Sequence, residues 1–232
     1  NVGGVVGQTQ VSVTGCRNGA DVTGDSTVGG IVGQGGTSGT YIKNCVNTGK
    51  ISGRAMVGGI AGSALPLIES CYHAGMVVPG SNRGGIAGSV TSSRVITDCF
   101  SYDTGVPFAA SIPAASPSVN NYSLYPDDTT NSVTAKTAEQ FASLEVAWLL
   151  DANGKETRTF NWTKNEVDPY PVFSTPDSTA IYRVKAATEF EIPEAGSVTV
   201  GIGKTPDMGS VAYGWDGDNY TITVEQKSPE KY

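Results

Sequence analysis

The sequence predicts a mainly β protein: a parallel β-solenoid of about four coils, then a short helical C-terminal cap, then a small antiparallel β module. Three observations lead there. Paired glycines stand at Gly3-Gly4, Gly29-Gly30, Gly58-Gly59 and Gly84-Gly85, separated by 26, 29 and 26 residues. The four cysteines, Cys16, Cys45, Cys71 and Cys99, follow with separations of 29, 26 and 28. Aliphatic residues recur around them: Val13, Ile42, Ile68 and Ile96 three residues before each cysteine, Val22, Ile51, Val77 and Val106 six or seven after it. A further glycine recurs between these positions, at Gly19, Gly49, Gly75 and Gly105. Self-similarity at a fixed period is the signature of a repeat architecture.

Each copy holds three short β-like pieces, typified by "GGIVG", "I-x-N-C" and "G-x-I", none amphipathic enough to stand alone. The period is too short for βαβ units, and no 3.6-residue spacing runs through it. One copy per coil solves the problem, with coils stacked ~4.8 Å apart and each strand bonded to its equivalent in the next coil. Side chains in one register then form interior columns, Val5/Ile31/Ile60/Ile86 and Val13/Ile42/Ile68/Ile96. Glycine weakens a strand in isolation. Its pairing beside Ile and Val predicts sharp turns with positive φ and a close approach of opposite walls, where side chains would collide.

Composition agrees with a turn-rich β protein: 38% of the 232 residues are hydrophobic and 16% charged. Of the 30 glycines, 23 precede Pro107. Charge divides at the same place, +1 over residues 1–106 and −8 over the remainder. Neither part carries the clustered basic face that nucleic acid or anionic lipid requires. No apolar run approaches ~20 residues, so no membrane insertion is expected of this stretch. The chain opens inside a motif, "NVGGVVG", and reads as a piece of a longer polypeptide with further domains.

The repeats are expected to fill residues 1–125, with "SVNNYSLY" (Ser118–Tyr125) as a last degenerate strand and Asn121 in the cysteine place. The fourth copy departs from the pattern, with Arg83 for the leading Val and a longer spacing after Cys99. A stack of strands leaves edges and an apolar cross-section to cover. The segment 126–173 supplies the cover. Thr137-Ala-Glu-Gln140 is a capping box that opens a helix over about 137–150, with Phe141, Leu144, Val146, Ala147, Leu149 and Leu150 at helical spacing and Gly154 as a stop. This helix, with Trp162 and "YPVF", is expected to plug the C-terminal end of the solenoid. Residues 174–232 read as a small β module: "SVAYGW" and "NYTITV" flank Asp216-Gly217, a hairpin signal.

The cores "VGGIVG" and "VGGIAG", with "IKNCVNTGKISG" (Ile42–Gly53) downstream, resemble the GLUG-motif repeats of large bacterial cell-surface proteins. The resemblance covers roughly residues 1–125, and "TAEQFASLEVAWLLDANG" followed by "DPYPVF" resembles the piece that often follows such arrays. It implies an extracellular, cell-surface location and a structural or adhesive role, and it carries no catalytic residue to transfer. Such repeats also occur as accessory regions of secreted peptidases, notably immunoglobulin A peptidases.

Candidate sites are few. The cysteines share one register, which suits buried thiols acting as small hydrophobes; disulfides between adjacent coils are the rival arrangement, although side-by-side neighbours strain the dihedral. No CxxC occurs and His73 is the single histidine, so no metal or cofactor is expected. His73 stands in a polar turn register with Asn18, Asn47 and Ser101. Asp216, Asp218 and Asn219, like Asp151-Ala-Asn153-Gly154, faintly resemble a calcium loop, but a turn and a helix stop explain them. A polysaccharide-active solenoid enzyme would need converging carboxylates, and Asp21, Asp25, Glu69, Asp98 and Asp103 share no register. No enzyme is therefore expected. The Ser/Thr/Asn-rich faces suit weak polar contacts to a glycan or a host surface protein, and Tyr72, Phe100, Tyr102 and Tyr122, recurring after the cysteines, form the expected contact stripe.

Overall fold

A computed structural model of the chain describes residues 1–36, 39–63, 67–78, 80–91, 95–113, 116, 118–152, 161–175, 197–198, 208–215 and 220–226. It divides into two compact units, Asn1–Arg183 and Val184–Tyr232. The first holds a parallel β-solenoid of about four coils. Equivalent strands of successive coils pair in register: Val2–Gly3, Ser26–Gly29, Ala55–Gly58 and Arg83–Gly84 form one wall. Val13–Thr14, Tyr41–Lys43, Leu67–Glu69 and Ile96–Thr97 form another. Where the sequence suggests three β pieces per coil, the structure has five very short strands. The "GGIVG" piece bends between Ser26–Gly29 and Val32–Gln34, and the cysteine piece bends between Tyr41–Lys43 and Val46–Asn47.

Positive φ supplies one of those bends, but not at the paired glycines. The residue before each cysteine place is left-handed: Gly15, Asn44, Ser70, Asp98 and Asn120, with φ of 62°, 53°, 50°, 55° and 57°. A second left-handed register precedes the Val-Gly-Gly cores, at Thr27, Met56 and Asn82. None of the paired glycines has a left-handed φ. They are needed for the close approach alone. A Cβ on Gly58 would strike the carbonyl oxygen of Ala61, and one on Gly59 would strike the ring of His73 and the carbonyl of Gly85. The same collision recurs at Gly4 with Asn18, Gly30 with Asn47 and Gly85 with Ser101.

That contact divides the tube. On one side lies a core of Ile31, Ile42, Cys45, Ile60, Ile68, Cys71, Ile86, Ile96 and Cys99. On the other lies a smaller core of Val22, Val28, Ile51, Val57, Val77 and Val106. The expected columns are present, except that Val5 is 47% exposed and Val13 and Cys16 only half-buried, because they lie on the first rung. Arg83, in the valine column, is buried and donates from Nη2 to the carbonyls of Gly53 and Arg54 in the rung before.

The fifth rung is atypical. Asn121 does occupy the cysteine place, since Phe100 pairs with Tyr122 and the amide of Cys99 donates to Asn121 Oδ1 at 3.2 Å. By hydrogen-bond register Pro107 stands where Gly84 does and Phe108 where Ile86 does, so this rung has no residue in the second glycine's place. Phe108 and Ile112 close the larger core at this end, with Val133 packed against it. Val133–Ala135 then adds a sixth parallel strand to the Arg17–Asn18 wall.

The capping box forms as read: Thr137 accepts from the amide of Gln140, whose side chain accepts from the amide of Thr137. The single expected helix is two, α1 (Ala138–Ala142) and α2 (Glu145–Ala152). Ser143, extended, breaks it, and its hydroxyl accepts from the amide of Glu145. The break turns Leu144 outward, 51% exposed, while Phe141, Val146, Ala147 and Leu150 face inward. The helices do not plug the tube's end. They lie along its side, packed on Val46, Tyr72, Phe100 and Tyr122 together with Trp162. Those rings project outward from the wall, so the side face is where a cover is needed. Trp162–Thr163 pairs antiparallel with Val172–Phe173. Among the described residues no helix is long and apolar enough to cross a membrane.

In the second unit, Met208–Trp215 pairs antiparallel with Tyr220–Gln226 and with Ser197–Val198, as the hairpin reading requires. The turn residues Asp216, Asp218 and Asn219 lie outside the described residues.

Two substitutions separate these causes. Gly59→Ala forces a backbone collision and is expected to unfold the central rungs, whereas Ile60→Val, two atoms away, costs about 1 kcal/mol. Met56→Asn relieves a left-handed bulky residue and copies Asn82 of the next rung, so it is expected to raise stability by about 1 kcal/mol. Chemical denaturation of the three variants measures both.

Candidate functional site

The expected contact stripe is a register of one wall. Arg17, Val46, Tyr72, Phe100, Tyr122 and Thr134 pair in succession across six strands. Tyr72 and Phe100 stack with centroids 4.9 Å apart and an interplanar angle of 8°, the geometry that in-register rungs impose. The stripe is not open to a ligand along its length. Tyr72 is 3%, Phe100 0% and Tyr122 8% exposed, because α1, α2 and the segment 161–175 cover them. Phe141 lies 5.5 Å from Phe100, Trp162 5.6 Å, and Phe173 5.2 Å from Tyr72. Tyr102, half-buried, meets Phe141 edge-on at 5.3 Å and Tyr170 at 5.0 Å. Each such pair adds about 0.5–1.5 kcal/mol beyond area burial. Tyr122 donates to Asn120 Oδ1 at 2.6 Å, and burial, helped by Asp98 and Glu145, pushes its phenol up to about 12.

The cover does not reach the first rung, where Arg17 is exposed. Between Arg17, Val46 and Tyr72 on one side and Asn165, Asp168, Tyr170 and Phe173 on the other lies a groove of about 480 Å³. Gly15 and Asn44, the first two members of the left-handed register, also line it. Asn165 builds the far rim. Its Oδ1 accepts from the amides of Val167 (3.2 Å) and Asp168 (2.7 Å), and its Nδ2 donates to Asp168 Oδ2 at 2.8 Å. Burial first, then the charge of Asp168 and its hydrogen bond to the phenol, raise Tyr170 to about 12. Of these groove residues sequence reading singled out only Tyr72. "DPYPVF" was visible as a segment, but nothing local says that it folds back over a register beginning 150 residues earlier.

The polar register is a buried ladder. Asn47 Nδ2 donates to Gly49 O (3.0 Å) and bonds His73 Nδ1 (3.0 Å), while its Oδ1 accepts from Asn18 Nδ2 at 2.7 Å and from the Gly49 amide at 3.3 Å. The other ring nitrogen of His73, Nε2, stands 3.8 Å from Asp103 Oδ2. Asp103 also accepts from the amides of Val77 (2.7 Å) and Gly105 (2.8 Å). Burial raises the Asp103 pKa, but His73 and these two amides outweigh it, and the carboxyl ends below its ordinary value.

The other carboxylates are likewise committed between rungs. Asp21 accepts from the amide of Lys50, Asp25 binds Arg54, Glu69 binds Lys43 and Asp98 accepts from Asn120. Asp151, considered above as part of a calcium loop, accepts from the amides of Asn161 and Trp162; Asn153 and Gly154 lie outside the described residues. Among the described residues no group of three metal-ligating side chains converges. The four cysteines are free. The amides of Cys45 and Cys71 donate to the next rung's sulfur at 3.4 and 3.3 Å. The bond to Cys71, with burial, raises the Cys45 thiol, and burial raises Cys71, which keeps both protonated.

Searches against family models, curated proteins and solved structures found no match to the chain.

Phe100→Ala is expected to cost about 3–5 kcal/mol and to release α1 and α2 from the wall, seen as faster amide exchange in both helices with the Ile columns still protected. The depressed Asp103 pKa stabilises the fold above the unfolded value near 3.9 and is lost as pH falls through the folded value. Asp103→Asn is therefore expected to lower stability at pH 7 and to flatten its fall on acidification below about pH 4, measured by denaturation across pH.

Proposed function

We propose that this chain is a non-catalytic stalk and adhesion module of a large bacterial extracellular protein with GLUG-type repeats, held at the cell surface, where it spaces and presents a binding surface. One observation carries the reading: the solenoid's carboxylates and its histidine are bonded to neighbouring rungs or turn amides, and the acid–base pair that does converge, His73 with Asp103, is buried, which suits a scaffold. The repeat resemblance supports the surface location, and the groove beside Arg17 supports a binding role. The partner is a glycan or a host surface protein.

Antibodies against the chain are expected to label intact cells of the source bacterium, and the purified chain to bind host matrix or host-cell glycans without cleaving them. Labelling that requires permeabilised cells, or release of product from matrix, would reverse the assignment.

A further inference from the structure

We propose that the groove beside Arg17 binds an acidic sugar, a uronic or sialic acid unit; this rests on the reading of the chain as a module that presents a binding surface. The volume, about 480 Å³, falls in the range of small-ligand sites, and the lining divides by chemistry. Tyr170 and Phe173 offer ring surface, packed 6.0 and 5.2 Å from Tyr72, suited to the C–H face of a pyranose. Asp168 and Asn165, tied together on the rim, offer acceptors and an amide to ring hydroxyls.

Arg17 decides the charge. Its guanidinium is exposed on the strand Arg17–Asn18, and among the described residues no carboxylate lies within ion-pairing distance of it. Asp168 lines the same groove, and both charges bear on Tyr72 and Tyr170, yet the two do not pair. A ligand that complements both walls carries a carboxylate at one end and hydroxyl donors at the other, with an apolar face between. A uronic or sialic acid has that arrangement; a neutral hexose leaves the guanidinium without a partner. A bidentate Arg–carboxylate pair supplies orientation as well as energy. Nearby, Lys164 is bonded to the carbonyl of Asn165 and does not replace Arg17.

The test is a titration of the isotope-labelled full chain, followed by amide shifts, with sodium glucuronate, N-acetylneuraminate and glucose in parallel. Shifts confined to the surroundings of Arg17, Tyr72, Asp168, Tyr170 and Phe173 are expected with at least one acidic sugar. Arg17→Gln is expected to weaken that binding roughly tenfold or more, and Arg54→Gln, at an exposed arginine outside the groove lining, to leave it unchanged. Glucose binding as tightly as the acids, an Arg17→Gln variant that binds as before, or no shifts in the groove with any sugar would overturn the inference. Host-surface binding retained by Arg17→Gln, with no acidic-sugar binding by the parent chain, sinks this site while the adhesion reading stands. Acidic-sugar binding without host-surface binding does the converse.

Discussion

The structure depends on one contact repeated up the tube: the second glycine of each pair facing a buried polar side chain across the interior. Asn18, Asn47, His73 and Ser101 reach from one wall to Gly4, Gly30, Gly59 and Gly85 on the other. A buried amide or imidazole is costly unless bonded, and here Asn18, Asn47 and His73 bond one another from rung to rung. The two walls can then approach to backbone contact. That apposition sets the width of the tube and separates the two apolar cores, and it explains why strands two to four residues long suffice. Asn47 divides its bonds between Gly49 of its own rung and Asn18 and His73 of the rungs beside it, so stability is in part a property of neighbours.

Strand alternation has an outward consequence. Tyr72, Phe100 and Tyr122 follow the inward residues Cys71, Cys99 and Asn121, and the alternation of a strand sends them to the opposite face. In-register pairing, with Tyr72 stacked on Phe100, turns three outward rings into an apolar strip, which the chain covers with α1, α2 and Trp162. The cover spans the rings and stops, and the first-rung member of that register is an arginine. The groove is thus a by-product of where the aromatic register ends. It is also the place where apolar surface, a carboxylate and a guanidinium meet.

The solenoid was legible because its cause is periodic: glycine, cysteine and isoleucine each recur on one spacing, and the pairings Ile42 with Ile68 and Ile68 with Ile96 follow from it. The left-handed register was not, since Gly, Asn, Ser, Asp and Asn share only the ability to tolerate a turn. Positive φ was read into the paired glycines because glycine allows it; the structure uses their missing Cβ instead. The position of the helices depended on which face of a two-residue strand Tyr72 occupies, a matter the apolar count in the helices does not reach. The groove joins residues 17 and 168, and no local pattern connects them.

Methyl-resolved NMR of the isoleucine columns tests the central claim most directly. Stacked rungs place the Ile31 and Ile60 side chains, and those of Ile60 and Ile86, about 4.8 Å apart, with Ile31 and Ile86 about twice that. Strong nuclear Overhauser contacts within each successive pair, and a far weaker one between Ile31 and Ile86, are the predicted result. Absence of the successive contacts, or equal intensity among all three, would contradict the stacked-rung account.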